Sequence, residues 1–120
     1  KVHRMLGQGG FGRVIEVTRA DTGDRFAMKA IRKQGSSSGS TNAKVVQQAQ
    51  LERRILSRIS HPFIIDLHCA FQTADKLMLV LELCPGGDLK QHMSRCGRLA
   101  PEEAAFVAAQ VLLALEYLHA

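Results

Sequence analysis

The sequence contains no tryptophan, one tyrosine and five phenylalanines, so aromatic side chains are scarce. A protein that binds single-stranded nucleic acid by stacking needs aromatic rings set among basic residues. The formal charge is +5, but the charges are scattered and no block of five like charges occurs. A solvated surface of mixed charge is therefore favoured over an interface with nucleic acid or an acidic membrane.

Cysteine is also scarce, because only Cys69, Cys84 and Cys96 are present, with no Cys-x-x-Cys spacing. An odd number of dispersed cysteines predicts free thiols in a reducing compartment, not a disulfide scaffold or a zinc site. The longest apolar stretch, residues 104–115, contains Gln110 and is too short to cross a bilayer. No signal peptide is apparent either, so we expect a cytoplasmic protein without a membrane span.

The 120 residues have the size of one ordinary domain, and 46% are hydrophobic, which is enough for a core. Alternation and turn chemistry predict strands over residues 2–6, 13–19 and 25–32. A helix is expected over 44–59, two strands over 64–72 and 77–83, and helices over 88–95 and from Pro101 onward. A flexible serine-rich loop is expected at 35–42. The order predicts an α+β fold with a break at Pro85-Gly86-Gly87.

The segment Gly7-x-Gly9-x-x-Gly12 has the spacing of a phosphate cradle, because glycine lets backbone N–H groups approach a phosphate closely. Strand-forming residues follow the glycines, so neither a dinucleotide-binding helix nor a P-loop fits. The glycines would instead join two antiparallel strands as a flap, with Val14 placed to contact a flat ring. The alternative is a glycine-rich hairpin without a ligand.

Lys29 lies in a strand that is apolar on both faces, and it shares a face with Ala27 and Ile31. A buried lysine needs an anionic partner. The helix over 44–59 offers one acid, Glu52, on the same side as its expected inward stripe of Ile55, Leu56 and Ile59. We therefore predict a Lys29–Glu52 ion pair; the alternative is a surface lysine and a helix-edge glutamate that never meet.

Together these segments resemble the N-terminal lobe of eukaryotic protein kinases: the glycine motif through Val14, then Phe26-Ala27-Met28-Lys29, then Glu52. Four further segments look like the AGC group of serine/threonine kinases, namely HPFII from His61, AFQT from Ala70, LELCPGGDL from Leu81 and ALEYLHA from Ala114. The resemblance covers essentially the whole chain in order.

The resemblance implies a five-stranded antiparallel sheet with one main helix over residues 1–84, and the hinge exit with the first two helices of an incomplete C-lobe over 85–120. It implies ATP as the nucleotide, with Lys29 and Glu52 as the catalytic residues, Lys29 on the α- and β-phosphates and Leu81 at the gatekeeper position. Leu56 and Leu67 would join a hydrophobic stack. The implied nucleotide-binding residues are Leu6, Gly7, Gln8, Gly9, Gly10, Phe11, Gly12, Arg13, Val14, Ala27, Lys29, Leu81, Glu82, Cys84 and Asp88.

Protein kinases also use an HRD-x-x-x-x-N segment and a DFG segment, which orient the substrate hydroxyl and hold Mg²⁺. Neither segment occurs in this sequence, so the Mg²⁺ ligands are expected outside it and this chain alone is expected to be inactive. The first residue is Lys1, and we expect a partial sequence whose last helix turns an apolar face, with Phe106 and Leu112, toward an absent C-lobe.

The resemblance therefore implies the ATP-binding part of a kinase that phosphorylates protein serine or threonine. The alternative is a pseudokinase, a nucleotide-binding or scaffold module without catalysis. The intact glycines and Lys29 favour the active kinase. A basic nucleic-acid-binding domain is a third and weaker hypothesis on the charge pattern.

Overall fold

A computed structural model describes residues 1–9, 12–33 and 43–120. The elements follow the expected order, three strands, a helix, two strands and two helices. Their bounds are β1 Val2–Gly9, β2 Gly12–Thr18, β3 Arg25–Arg32, α1 Ala43–Leu56, β4 Leu67–Gln72, β5 Lys76–Glu82, α2 Leu89–Cys96 and α3 Pro101–His119. The serine-rich segment 35–42 lies outside the described residues.

The five strands form one antiparallel sheet, as the resemblance implied, and their order is β1-β2-β3-β5-β4. Its centre is β3 and β5, which carry the fully buried Ile31 and Leu79. Strands without an exposed face are built from continuous apolar runs, and β5 (KLMLVLE) has such a sequence. The buried core therefore lies where α1 packs on β3, β5 and β4.

Helix α1 covers the core with a stripe that differs from the expected one. Ala49 is buried, and Val45 and Leu56 pack on the core, so the inward positions are spaced four and seven residues apart, as on one helix face. Glu52 falls on this stripe, but Ile55, expected to face inward, is 43% exposed. Ile55 directly precedes Leu56 in the helix, and Leu56 is the residue of the two that packs on the core.

Three element boundaries also differ from the sequence-based expectation. Strand β1, expected over residues 2–6, continues to Gly9, because Gly7, Gln8 and Gly9 pair with β2. Helix α1 ends at Leu56, not near residue 59, because the Ser57 hydroxyl donates to the Arg54 carbonyl and the Arg58 N–H to the Ile55 carbonyl. Strand β4 begins at Leu67, not at residue 64. A turn occupies the preceding residues, in which the Phe63 N–H donates to His61 Nδ1 at 3.1 Å.

The chain divides into two compact units, residues 1–59 with 66–83 and residues 60–65 with 84–120. In the second unit the Asp88 carboxylate caps α2 by accepting from the Gln91 N–H at 2.8 Å, and the Gln91 side chain accepts from the Asp88 N–H. The ring of Tyr117 on α3 lies 5.0 Å from that of His61, and its hydroxyl accepts from the Ser60 N–H. The lobe limits 1–84 and 85–120 stay a prediction.

Candidate functional site

One face of the sheet carries a row of residues from four strands. Gly7 pairs with Val14, Val14 with Lys29, and Lys29 with Leu79, so these residues lie side by side across β1, β2, β3 and β5. Directly opposite residues in an antiparallel pair project to the same face. The Lys29 ammonium therefore extends from a strand position flanked by valine and leucine.

Ala27 and Leu81 form part of the next row on this face, because they pair directly across β3 and β5. Both are 8% exposed, and Val14 is half-buried. Val14 and Ala27 would offer only aliphatic groups to a flat apolar ring that packs here. This surface is suited to a purine base, which buries its faces against aliphatic side chains.

The predicted ion pair is present: Lys29 Nζ donates to Glu52 Oε2 at 3.1 Å. The Lys29 side chain is 23% exposed and that of Glu52 39% exposed, so the pair stands at the edge of the core and remains open to solvent. Glu52 is available because α1 turns its 45–49–52–56 stripe to the sheet. A carboxylate at this position holds the ammonium in one place, which is the arrangement needed to position a cation against a second anion.

The glycine motif joins β1 to β2, as expected for a flap. Gly12 has φ +142°, and a Cβ there would lie 2.0 Å from the Ala30 carbonyl oxygen, so only glycine fits between β2 and β3. A Cβ on Gly7 would have no described atom within 4 Å, so the space beside Gly7 is open on this side. Gly10 and Phe11, which complete the predicted cradle, lie outside the described residues.

The other predicted residues of β1 and β2 divide between the two faces. Gln8 and Arg13 pair with each other, are exposed and alternate with Val14, so their side chains project from the opposite face. They can reach a ligand under the flap through backbone groups only. Leu6 is half-buried and lies between Met5 and Gly7, where the β1–β2 register shifts. Gly9 pairs with Gly12 beside the flap.

At the end of β5, the Glu82 N–H donates to the Asp66 carbonyl at 2.9 Å, and the Asp66 N–H donates to Glu82 Oε2 at 3.3 Å. The prediction assigns the carbonyl of Glu82 to the adenine edge. Cys84 and Asp88 belong to the second unit. The Cys84 carbonyl accepts from the Gly87 N–H at 3.1 Å, and the Asp88 carboxylate caps α2 through Oδ1. The Cys84 carbonyl and Asp88 Oδ1 are thus already engaged in hydrogen bonds within the chain.

The geometry combines a glycine flap, an apolar face for a base and a lysine held by a carboxylate, which together suit a nucleoside polyphosphate. The family model described as "Protein kinase domain" matches residues 1–120, the whole chain. The chain belongs to the protein kinase domain family. Members of that family bind their nucleotide with a glycine-rich loop between two strands, a lysine on the next strand and a glutamate on the following helix.

Kinases similar to this chain include proteins of Dictyostelium discoideum and Caenorhabditis elegans. The chain is 40% identical over 116 residues to "Protein kinase 3" of Dictyostelium discoideum, covering 97% of this chain and 12% of that protein. It is 36% identical to the "RAC family serine/threonine-protein kinase homolog" of Dictyostelium discoideum, over 96% of this chain and 25% of that protein. It is 41% identical to "Putative ribosomal protein S6 kinase alpha-1" of Caenorhabditis elegans, over 97% of this chain and 14% of that protein.

The described residues offer neither a metal-binding cluster nor a membrane-spanning helix. In residues 1–9, 12–33 and 43–120, no group of three or more His, Cys, Asp and Glu side chains could hold a metal ion. The same part of the chain has no helix with both the length and the apolar character needed to cross a membrane.

Sequence reasoning missed one buried acid near the site, Glu16 on β2, which is 4% exposed. The available signal was an acid among β-branched residues, because Ile15 and Val17 flank Glu16 in β2. Because Glu16 pairs directly with Ala27, it lies on the same face as the candidate base-binding surface.

Proposed function

We propose that the protein carrying this chain is an AGC-type serine/threonine kinase, and that this chain provides its ATP-binding part. The observation that carries the proposal is the 3.1 Å Lys29–Glu52 ion pair on the face that Gly7 and Val14 share. The name of the RAC family serine/threonine-protein kinase homolog of Dictyostelium discoideum supports serine and threonine as acceptors. The chain spans between 12% and 25% of the length of those relatives, so the activity of the whole protein is part of the proposal.

In this proposal the adenine packs between the aliphatic groups of Leu6 and Val14 and the Ala27 methyl group. The carbonyl of Glu82 and the backbone N–H of Cys84 bind its edge, and Asp88 reaches the ribose through the carboxylate oxygen that does not cap α2. Leu81 bounds the inner end of the base site.

The phosphates would lie under the flap, with the Gly7, Gln8, Gly9, Gly10, Phe11, Gly12 and Arg13 backbone above them. Lys29 would bind the α- and β-phosphates while Glu52 holds its ammonium. The ammonium stabilises negative charge that shifts onto the phosphates during transfer to a protein hydroxyl group. Mg²⁺ would screen the same charge, and the proposal places its ligands outside this chain.

The cellular setting and the partners complete the proposal. Cys69, Cys84 and Cys96 are all free and exposed, which supports a reducing, intracellular compartment. The partners would be ATP and a protein substrate. The apolar residues exposed on α3, among them Phe106 at 70% and Leu112 at 65%, would pack against the C-lobe of the same kinase domain.

The test is phosphate transfer by the full-length protein from MgATP to peptides that offer serine, threonine or tyrosine. We expect transfer to serine and threonine, and loss of transfer in Lys29→Met. Lys33→Met is the matched control, because Lys33 follows the same strand but donates to the Thr73 carbonyl at 2.9 Å. Binding of MgATP without transfer would support the pseudokinase instead, and transfer to tyrosine alone would contradict the acceptor class.

A further inference from the structure

The buried acid Glu16 connects three neighbouring strands through its side chain. Its Oε1 accepts from Arg4 Nε on β1 at 3.2 Å, and its Oε2 accepts from an Arg25 terminal nitrogen on β3 at 2.9 Å. The Glu16 side chain is 5% exposed, whereas those of Arg4 and Arg25 are 61% and 60% exposed. One carboxylate on β2 is thus bonded on both sides, and each of its oxygens serves a different strand.

The backbone pairing around Arg4 is irregular. Register shifts interrupt the β1–β2 ladder between Val2 and Arg4 and again between Met5 and Gly7. A ladder with a shift on either side specifies strand position less strongly than a regular one, and such irregularities change the direction of nearby side chains. The Arg4–Glu16 bond lies between the two shifts, where an additional constraint on β1 has the greatest effect.

This tie adjoins the proposed nucleotide site. Glu16 pairs with Ala27, and Leu6 lies in the second register shift, two residues after Arg4. A displacement of β1 would therefore move Leu6 and the start of the glycine flap relative to Ala27 and Lys29. We propose that Glu16 is a positioning residue, which fixes β1 over β3 through Arg4 and Arg25 and so sets the ATP affinity. This inference rests on the proposed ATP-binding function.

The electrostatic reasoning gives the direction of the effect. With Glu16 charged, the carboxylate attracts both guanidinium groups and draws β1 and β3 toward β2. If glutamine replaces Glu16, the attraction is lost and the two guanidinium groups repel each other across the strand. The Glu16 side chain pairs with Arg4 and Arg25, whereas Glu52 pairs with Lys29, so the transfer step itself should keep its charges.

The test compares ATP kinetics and thermal stability in variants of the full-length protein. Glu16→Gln and Arg4→Met are each expected to raise the KM for ATP by about threefold to tenfold, as a misplaced binding group does. The kcat should stay within about twofold, since the loss is in binding. Arg4→Lys, which keeps the charge, should restore much of the affinity. Arg19→Met is the control, because Arg19 pairs with the exposed Asp21 at 2.7 Å.

A purely structural role would lower the melting temperature and leave the KM for ATP unchanged. That result, in Glu16→Gln or in Arg4→Met, would overturn the inference, as would an equal KM rise in Arg19→Met. If Glu16→Gln does not fold, Arg4→Met decides, because Arg4 is largely exposed. Failure of the wild-type protein to bind MgATP would instead refute the proposed function and the inference with it.

Discussion

Replacing Glu52 by glutamine should leave the protein folded while it removes the anchor of Lys29. At 3.1 Å the Coulomb attraction is about 1.3 kcal/mol in water and about 5 kcal/mol at an effective dielectric of about 20. Solvent reaches 39% of Glu52 and 23% of Lys29, so the pair belongs near the weak end of that range. We expect a loss of about 1 kcal/mol or less in the free energy of unfolding.

The effect on phosphate transfer should be much larger, because the glutamine amide cannot hold the ammonium with a charge. A misplaced cation stabilises the transferring phosphate less, and loss of one such contact lowers turnover by about 100-fold or more. The assay measures kcat/KM for peptide phosphorylation by the full-length protein, with denaturant unfolding in parallel. Glu116→Gln, the same change on the exposed surface of α3, is the control and should alter neither quantity.

Two results would refute this reasoning. Turnover near that of the wild type in Glu52→Gln would show that Lys29 needs no anchor. A loss of stability of about 3 kcal/mol or more would show that the pair behaves as a buried ion pair, which contradicts the exposure of both side chains.

Four further substitutions test the fold and the flap. Gly12→Ala should destabilise the protein by about 2 kcal/mol or more, since φ +142° and the Ala30 carbonyl at 2.0 Å both oppose a Cβ, and urea unfolding measures it. Gly7→Ala should leave unfolding unchanged and weaken only ATP binding; equal unfolding losses in both variants would contradict the distinction. Leu79→Ala, at a fully buried position, should cost about 2–5 kcal/mol, and a loss below about 1 kcal/mol would contradict the core assignment. Asp88→Ala removes the cap of α2 and should cost about 1 kcal/mol, seen as faster amide exchange at the start of α2; unchanged exchange would contradict the capping role.

Local patterns predicted the first three strands and pointed to the ion pair, whereas the five-stranded sheet was implied by the resemblance to protein kinases. Strand β3 was expected over residues 25–32 and has those bounds, since a turn precedes it and apolar residues fill it. The Lys29–Glu52 pair was predicted because burying an unpaired lysine costs free energy and because Glu52 is the single acid on α1.

The differences arise where side chains compete with the backbone pattern. The periodicity of α1 continued past its end, but the Ser57 hydroxyl takes a carbonyl of the last turn. The apolar residues after His61 suggested a strand, but the His61 ring accepts an N–H and forms a turn. The Glu16 tie could not be predicted, because it depends on which residues of β1 and β3 lie beside β2. Sequence spacing alone does not specify that register.

The most direct test of the central claim is a crystal structure of the full-length protein with Mg²⁺ and a non-hydrolysable ATP analogue. The account predicts that Lys29 Nζ lies about 3 Å from an oxygen of the α- or β-phosphate and keeps its bond to Glu52. It also predicts that the adenine packs between Val14 and Ala27. A nucleotide bound elsewhere, or a Lys29 side chain that contacts Glu52 but no phosphate, would contradict it.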